Sequence, residues 1–398
     1  MSARPALLLE PREARLLRPS WAEIDSGALS HNVRVARRAV GPDRKIWFVC
    51  KGDGFGFGAA RVAAWAVQAG VDALCVGSPE EALAIRRAGI DVEILLFACT
   101  LPQDVAALAE LDVILSIHSL QMLEAVVALG RSVDAFLEID SGFGRFGLQP
   151  AQWHKAMTQL KHAPLVQLRG LYSHLSAPED AATSAQQAAV FAQAIADAQG
   201  LGFEQLEHII ASSRVMILHP QLHHTGVDPG RFIYGALDAA LSARAGLRPL
   251  LHAVRARIIQ VQAHQAGETL GLGYGAPIVL DKPMRLAVVP IGFWDGLNHA
   301  PPLGHVIVAG RFAPVVGRRS FQHTVIDVSD VPEADIGSLV TLVGRDGDCE
   351  IPIDELAATL GLPLMELMPR LVRGLPHVVL DSQDAPNPDK MALQETTQ

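Results

Sequence analysis

From Trp21 onward, short β-branched or aliphatic runs alternate with alanine-rich stretches at a spacing that few folds can accept. The apolar runs are Ile46–Cys50, Ala73–Val76, Ile94–Phe97, Val113–Ile117 and Ala135–Ile139. Between them, Ala59–Ala69, Pro79–Ala88, Pro102–Leu108 and Ser119–Leu129 read as helices. Strand-like runs return at Leu168–Ser173 and His208–Ala211, flanking a long helix over Ala181–Ala198. A strand covered on both faces is apolar throughout, and parallel pairing demands a crossover helix. About eight such units in roughly 220 residues is what a closed barrel requires. The reading is α/β, with an N-terminal (β/α)8 TIM-like barrel over residues 19–246.

Near Leu247 the texture changes. Arg255–Ala263, Arg285–Val289, His305–Val308, Thr324–Val328 and Leu339–Val343 are strand-like, and Gly/Pro/Asp turns separate them. Helical rhythm is nearly absent until Ile353–Leu360, so residues 247–381 read as a mainly β C-terminal domain. Residues 1–18 read as a loose leader rich in arginine and proline. The polar stretch 382–398 reads as a disordered tail.

Composition limits the partners. The 398 residues carry 33 Lys plus Arg against 42 Asp plus Glu, a formal charge of −9. That balance, without a basic run, argues against binding a phosphate backbone. No stretch approaches the roughly eighteen apolar residues of a membrane span, and Ala6–Leu9 is too short for a signal-peptide core. Cys50, Cys75, Cys99 and Cys349 are widely spaced and read as reduced thiols of a cytoplasmic protein. No His/Cys cluster suggests a metal. Only three tyrosines occur, Tyr172, Tyr234 and Tyr274.

Lys51 directly follows the apolar run Trp47–Cys50, within Val-Cys-Lys-Gly-Asp-Gly-Phe-Gly-Phe-Gly. The C-terminal end of a barrel strand is where barrel enzymes place chemistry. Gly54, Gly56 and Gly58 let backbone approach a ligand closely. The string lacks the Gly-Lys-Ser/Thr of a Walker loop. Taken alone, a strand-end lysine is more often a solvated charge than a reactive amine.

The string and its sequels, in order, resemble the alanine racemase family. Lys51 falls at the pyridoxal phosphate (PLP) lysine of the family's Lys-Ala-Asp-Ala-Tyr-Gly-His-Gly. Ile139-Asp140-Ser141-Gly142-Phe143-Gly144-Arg145-Phe146-Gly147 is similar to its Val-Asp-Thr-Gly-Met-Gly-Arg-x-Gly. Ser173-His174 matches Thr-His, and Leu272-Gly273-Tyr274-Gly275 matches Val-Gly-Tyr-Gly. Val289–Gly296 matches Pro-Ile-Gly-Tyr-x-Asp-Gly. The resemblance implies PLP on Lys51 and a head-to-tail homodimer whose active sites each take a second base from the partner. The implied partner is a small-molecule substrate, an amino acid.

Interconverting L- and D-amino acids requires taking the α-proton from one face and returning it to the other, roles that the resemblance assigns to Lys51 and Tyr274. Phe55, Phe293 and Met365 stand where the family has its other active-site tyrosines. By resemblance, His174 lies beside the cofactor and Arg145 reaches its phenolic oxygen. Glu138 replaces a carbamylated lysine as a possible ion-pair partner of Arg145. Ser212 and Gly230 fall at phosphate-contacting positions, with Arg231 or Ser213 compensating for the absent hydroxyls.

Two departures bear on substrate. The family's Arg-Pro-Gly becomes Asp228-Pro229-Gly230. Asp228 would hold a protonated pyridine and deepen the electron sink, which also admits aldol cleavage, β-elimination or transamination. Alternatively, Arg231 swings in to face the ring nitrogen. The substrate loop Cys-Met-Asp-Gln becomes Ser320-Phe321-Gln322-His323. With Phe293, Phe321, Gln322 and Met365 around the substrate, the pocket reads as tuned to a larger or differently charged amino acid than alanine.

Overall fold

The computed structural model describes residues 18–380 except 275, 301 and 302. The expected tail and residues 1–17 of the expected leader lie outside the described residues. Two compact units divide the chain. The first strand described, β1 (Ser20–Asp25), precedes a barrel of eight parallel strands. These are β2 (Lys45–Val49), β3 (Ala73–Val76), β4 (Glu93–Leu96), β5 (Ile114–Ile117), β6 (Val133–Glu138), β7 (Val166–Tyr172), β8 (Glu207–Ser212) and β9 (Gly226–Asp228). They close in sequence order, with β9 pairing β2 through Lys45↔Gly226 and Ile46↔Val227.

The barrel interior is filled by Trp47, Val49, Cys75, Leu95, Ile114, Phe136, Tyr172 and Ile209. Trp47 meets Phe136 edge to face at 5.5 Å. One opening of the barrel carries an ionic lattice. Lys45 Nζ reaches Glu93 and Glu207 at 2.7 and 2.8 Å, and Arg169 bridges Glu93 and Asp134 at 2.5 Å each. Each of these charges lies at or near the N-terminal end of its strand, or in its middle. The opposite, C-terminal opening is thereby left for ligands.

The barrel's last strand departs from the sequence reading. Gly226–Asp228 is only three residues long, and the sequence does not mark it as a strand. The reading also placed residues from 19 onward in the barrel. In the structure β1 belongs instead to the β unit, where it pairs antiparallel with β10 (Leu251–Arg257) and parallel with the last strand described, His377–Leu380. The reason is local fit. Ala22 and Ile24 are fully buried there, and Glu23 pairs with Arg255 on β10 at 2.9 Å. Arg18 is likewise anchored rather than loose, since its guanidinium forks onto the buried Asp295 carboxylate.

The β unit continues with β11 (Gln260–His264), the ribbon β12 (Thr269–Leu270) and β13 (Ile278–Val279), β14 (Met284–Val289), β15 (His305–Val308), β16 (Arg311–Val316), β17 (Thr324–Asp327), β18 (Leu339–Asp346), β19 (Cys349–Ile351) and β20 (His377–Leu380). Its large sheet runs β11-β14-β17-β16-β15-β18-β10-β1-β20, with β19 off β18. Helix Leu364–Gly374, absent from the sequence reading, packs over the turn Phe293–Asp295. A Cβ on Gly296 would lie 2.7 Å from the Arg370 carbonyl carbon. Among the described residues, no helix is long and apolar enough to cross a membrane.

Candidate active site

The barrel's C-terminal opening gathers the sequence-expected residues strand by strand. Lys51 lies just past β2, Glu138 ends β6, His174 follows β7, Ser212 ends β8 and Asp228 ends β9. Ser212 and Asp228 are register partners across β8 and β9.

Lys51 opens a turn of unusual hand. Gly52, Asp53 and Gly54 have φ of 66°, 53° and 63°. L-residues avoid this region, so a Gly-rich string is what allows the turn. Glu81 fastens it, accepting from the backbone N–H groups of Asp53 and Gly77 at 2.8 Å each. Asp53 in turn accepts from the N–H of Ala59 at 2.9 Å. The lysine stem passes so close to Gly77 that a Cβ there would lie 2.9 Å from Lys51 Cβ. Gly77→Ala is therefore expected to displace Lys51, at about 1–3 kcal/mol of overpacking. Urea unfolding should register that cost, together with slower modification of Lys51 by an aldehyde probe.

Charge at this opening is set by burial. Asp228 is 8% exposed and its Oδ1 is buried without a hydrogen-bond partner. Burial pushes its carboxyl up to about 7, against the opposing pull of the Lys51 charge. Glu138 is pushed up to about 7 by the same cause, tempered by the Tyr172 hydrogen bond and by Arg145. His174 presents an exposed edge, yet the desolvation of its inner side, with Lys51 and Arg145 near, lowers it to about 4. Near neutral pH His174 is uncharged.

Glu138 and Arg145 do not form the ion pair that the sequence suggested. Tyr172 donates its hydroxyl to Glu138 Oε2 at 2.8 Å, and Ser116 joins the same hydroxyl from below. Arg145 is held by rings, 4.5 Å from the Phe143 centroid and 5.6 Å from Phe146. Phe143 also meets His174 edge-on at 5.5 Å. The signal for this was two phenylalanines flanking one arginine, a spacing suited to cation–π contact.

Ser213 and Arg231, the two expected substitutes near the phosphate position, both serve the loop itself. Ser213 Oγ accepts from the N–H groups of Gly230 and Phe232 at 3.0 and 3.1 Å. Arg231 Nε donates to the Ala236 carbonyl at 3.1 Å. Phe55 packs where a Gly230 Cβ would point, at 3.4 Å, and meets Tyr234 at 4.6 Å.

On the β unit, Tyr274 follows the turn Gly271–Gly273 with a left-handed backbone, φ 49° and ψ 65°. It belongs to an aromatic cluster. Tyr274 meets His299 at 5.1 Å, His299 meets Phe293 at 5.6 Å, and Phe293 meets Phe321 at 5.2 Å. Trp294 stacks on Phe321 at 5.1 Å. Gln322 is exposed at the tip of the same loop, and Met365 is half-buried in helix Leu364–Gly374. The sequence singles out neither His299 nor Trp294 as a site residue, although Trp294 lies within the Val289–Gly296 match.

Residues 24–238 match the alanine racemase N-terminal domain, and 251–379 match the alanine racemase C-terminal domain. The chain belongs to the alanine racemase family. The alanine racemase of Pseudomonas taetrolens is 37% identical over 337 residues, covering 83% of this chain and 91% of that one. That of Synechocystis is 32% identical over 371 residues, covering 91% and 99%. Alanine racemase from D-cycloserine-producing Streptomyces lavendulae superposes with a TM-score of 0.84 at 28% identity, over 92% of this chain and 97% of that structure. At such identities this is a divergent member of the alanine racemase family, with the family's barrel and β domain.

Proposed function

We propose that the chain is a PLP-dependent amino-acid racemase that uses two bases and acts on a substrate other than alanine. The observation that carries this reading is the pairing of an exposed amine, Lys51, with a buried carboxylate, Asp228, at one barrel opening. Asp228 Oδ1 is an orphaned acceptor, and a protonated pyridine nitrogen is the donor it lacks. The lysine suits a cofactor aldehyde, and half-buried Ser212 suits the phosphate end, so the residues present fit the group. When bound, PLP supplies the electron sink that makes an amino-acid α-proton removable.

The chain's own residues supply the rest. Lys51 Nζ takes or returns the α-proton on one face, and the Tyr274 hydroxyl does so on the other. Neutral His174 adds no second positive charge beside Lys51. Arg145, held against two rings, would offer its N–H groups to the cofactor's phenolic oxygen. Phe293, Trp294 and Phe321 offer an apolar aromatic wall that alanine's methyl would not fill, which supports a larger side chain. The family's homodimer, with Tyr274 given to the partner's site, accords with Tyr274 being 54% exposed in one chain.

The test is incubation of PLP-loaded protein with an amino-acid panel in heavy water, following α-proton exchange and enantiomer ratio together. Exchange with inversion is expected, and Tyr274→Phe should abolish inversion while sparing exchange with retention for one enantiomer alone. Asp228 favours a second reading, cleavage or elimination at Cβ. Loss of the amino acid to new products would establish that reading in place of racemisation.

A further inference from the structure

The hydroxyl of Tyr274 has no hydrogen-bond partner among the described residues, and its ring is more than half exposed. Among the described residues its backbone makes one bond, N–H to the Gly271 carbonyl at 3.2 Å, at the end of the turn Gly271–Gly273. A residue so placed is not held by its own turn. A proton carrier needs its acidic atom fixed to within a fraction of an ångström.

His299 is the neighbour with the means to fix it. The imidazole presents itself edge to face with Tyr274, centroids 5.1 Å apart and planes at 78°, and meets Phe293 on another side at 5.6 Å and 88°. Its Nδ1 lies 2.6 Å from the Arg319 carbonyl oxygen. A carbonyl only accepts, so Nδ1 carries the proton and the ring cannot flip without breaking the bond. The clamp is reciprocal. Arg319 N–H donates to the His299 carbonyl at 3.3 Å, and the Arg319 guanidinium donates to the Asn298 carbonyl. Arg319 is itself fully buried, so the imidazole is tied to the rigid interior of the β unit.

We infer that His299 is the positioning residue of Tyr274. Its tether to Arg319 fixes the imidazole, and the imidazole fixes the phenol in the orientation from which the hydroxyl exchanges a proton. This rests on Tyr274 being one of the two bases.

The test uses His299→Ala and His299→Phe, the second keeping a ring but losing the tether, in the PLP-loaded protein beside Tyr274→Phe. L- and D-forms of one amino acid have equal free energy, so any defect must lower kcat/KM for inversion equally from both sides. Exchange with retention is free of that constraint and reports each base separately. Inversion is expected to fall about 10- to 100-fold in His299→Ala. Exchange with retention should survive for the enantiomer served by Lys51 and be lost for the other, with His299→Phe showing the same pattern less severely. A structural readout accompanies it. With only three tyrosines, a ring-13C spectrum assigned through Tyr274→Phe should show the Tyr274 signal narrowing toward that of a free side chain in both His299 variants. Equal loss of exchange for both enantiomers, or inversion at the parent rate with an unchanged Tyr274 signal, overturns the inference. If Tyr274→Phe itself loses both exchanges equally, the two-base reading falls and the positioning role with it. A one-sided Tyr274→Phe beside a two-sided His299→Ala removes the positioning role alone.

Discussion

Replacing Lys51 by alanine is expected to lower interconversion of enantiomers by at least about 10²–10⁴-fold, the usual worth of one proton carrier. It should also abolish the covalent PLP adduct that borohydride reduction and mass analysis would find at that position in the parent. Lys51 stands beside three titrating groups, so the substitution alters their field as well as the chemistry. Its charge opposes the upward push on Asp228 and Glu138 and adds to the downward push on His174. Lys51→Arg separates the two effects, because arginine keeps the charge and loses the cofactor link. Both variants should be inactive, while only Lys51→Ala should shift the titration of His174 by NMR. An active Lys51→Ala protein, or an adduct on another lysine, would falsify the assignment.

The second large effect concerns Asp228 in the protein without PLP. Its carboxyl titrates at about 7 in the folded chain, against an ordinary 3.8 when unfolded. Between those values the folded state binds the extra proton. Stability from this group is therefore full below about 4 and is lost as pH rises through 7. The loss amounts to a few kcal/mol, at about 1.4 kcal/mol per pH unit. Asp228→Asn removes the charge, so it should stabilise the apoprotein by about 2–4 kcal/mol at pH 8 and by little at pH 4. Glu138 contributes a slope of the same sign, and lowered His174 one of opposite sign, present below 6.5. Both cancel in the difference between variant and parent. Urea unfolding at pH 4, 6 and 8 measures that difference, and a gap that does not widen with pH would refute a buried, strained carboxylate. With PLP bound the order should reverse, since a protonated ring nitrogen pairs with a carboxylate and not with an amide.

The barrel was legible because its strands are buried on both faces and read as unbroken apolar runs, as in Ala73–Val76, whose bounds match the structure. β9 was not, because Gly-Val-Asp is too short to carry a period, and the strand exists only because β2 and β8 leave a gap of its width. The place of β1 was illegible for a different reason. Alternating buried positions reveal a strand but not its partner, and here the partner is chosen by Glu23 finding Arg255 some 230 residues away. Among the expected site residues, Lys51 stands out by its glycine-rich string at a strand end, whereas Tyr274 is marked only by the resemblance to the family's Gly-Tyr-Gly turn. His299 carried no such signal, since its contact with Tyr274 depends on a carbonyl of Arg319 that no local pattern announces. The Glu138–Arg145 pairing was misjudged because strand-end charges suggest ion pairs, whereas Tyr172 lay closer to hand inside the barrel.

The placement of β1 between β10 and β20 has a consequence during synthesis. The barrel's residues are contiguous, so that unit can close while the ribosome is still adding the remainder. Among the described strands β1 emerges first, yet its partner β10 follows it only about 226 residues later. At about 5–20 residues per second, the strand waits for tens of seconds with its backbone groups unpaired. An unpaired strand is a template for the wrong neighbour. Chaperone demand during synthesis is therefore expected to track the distance between β1 and β10 rather than the length of the chain.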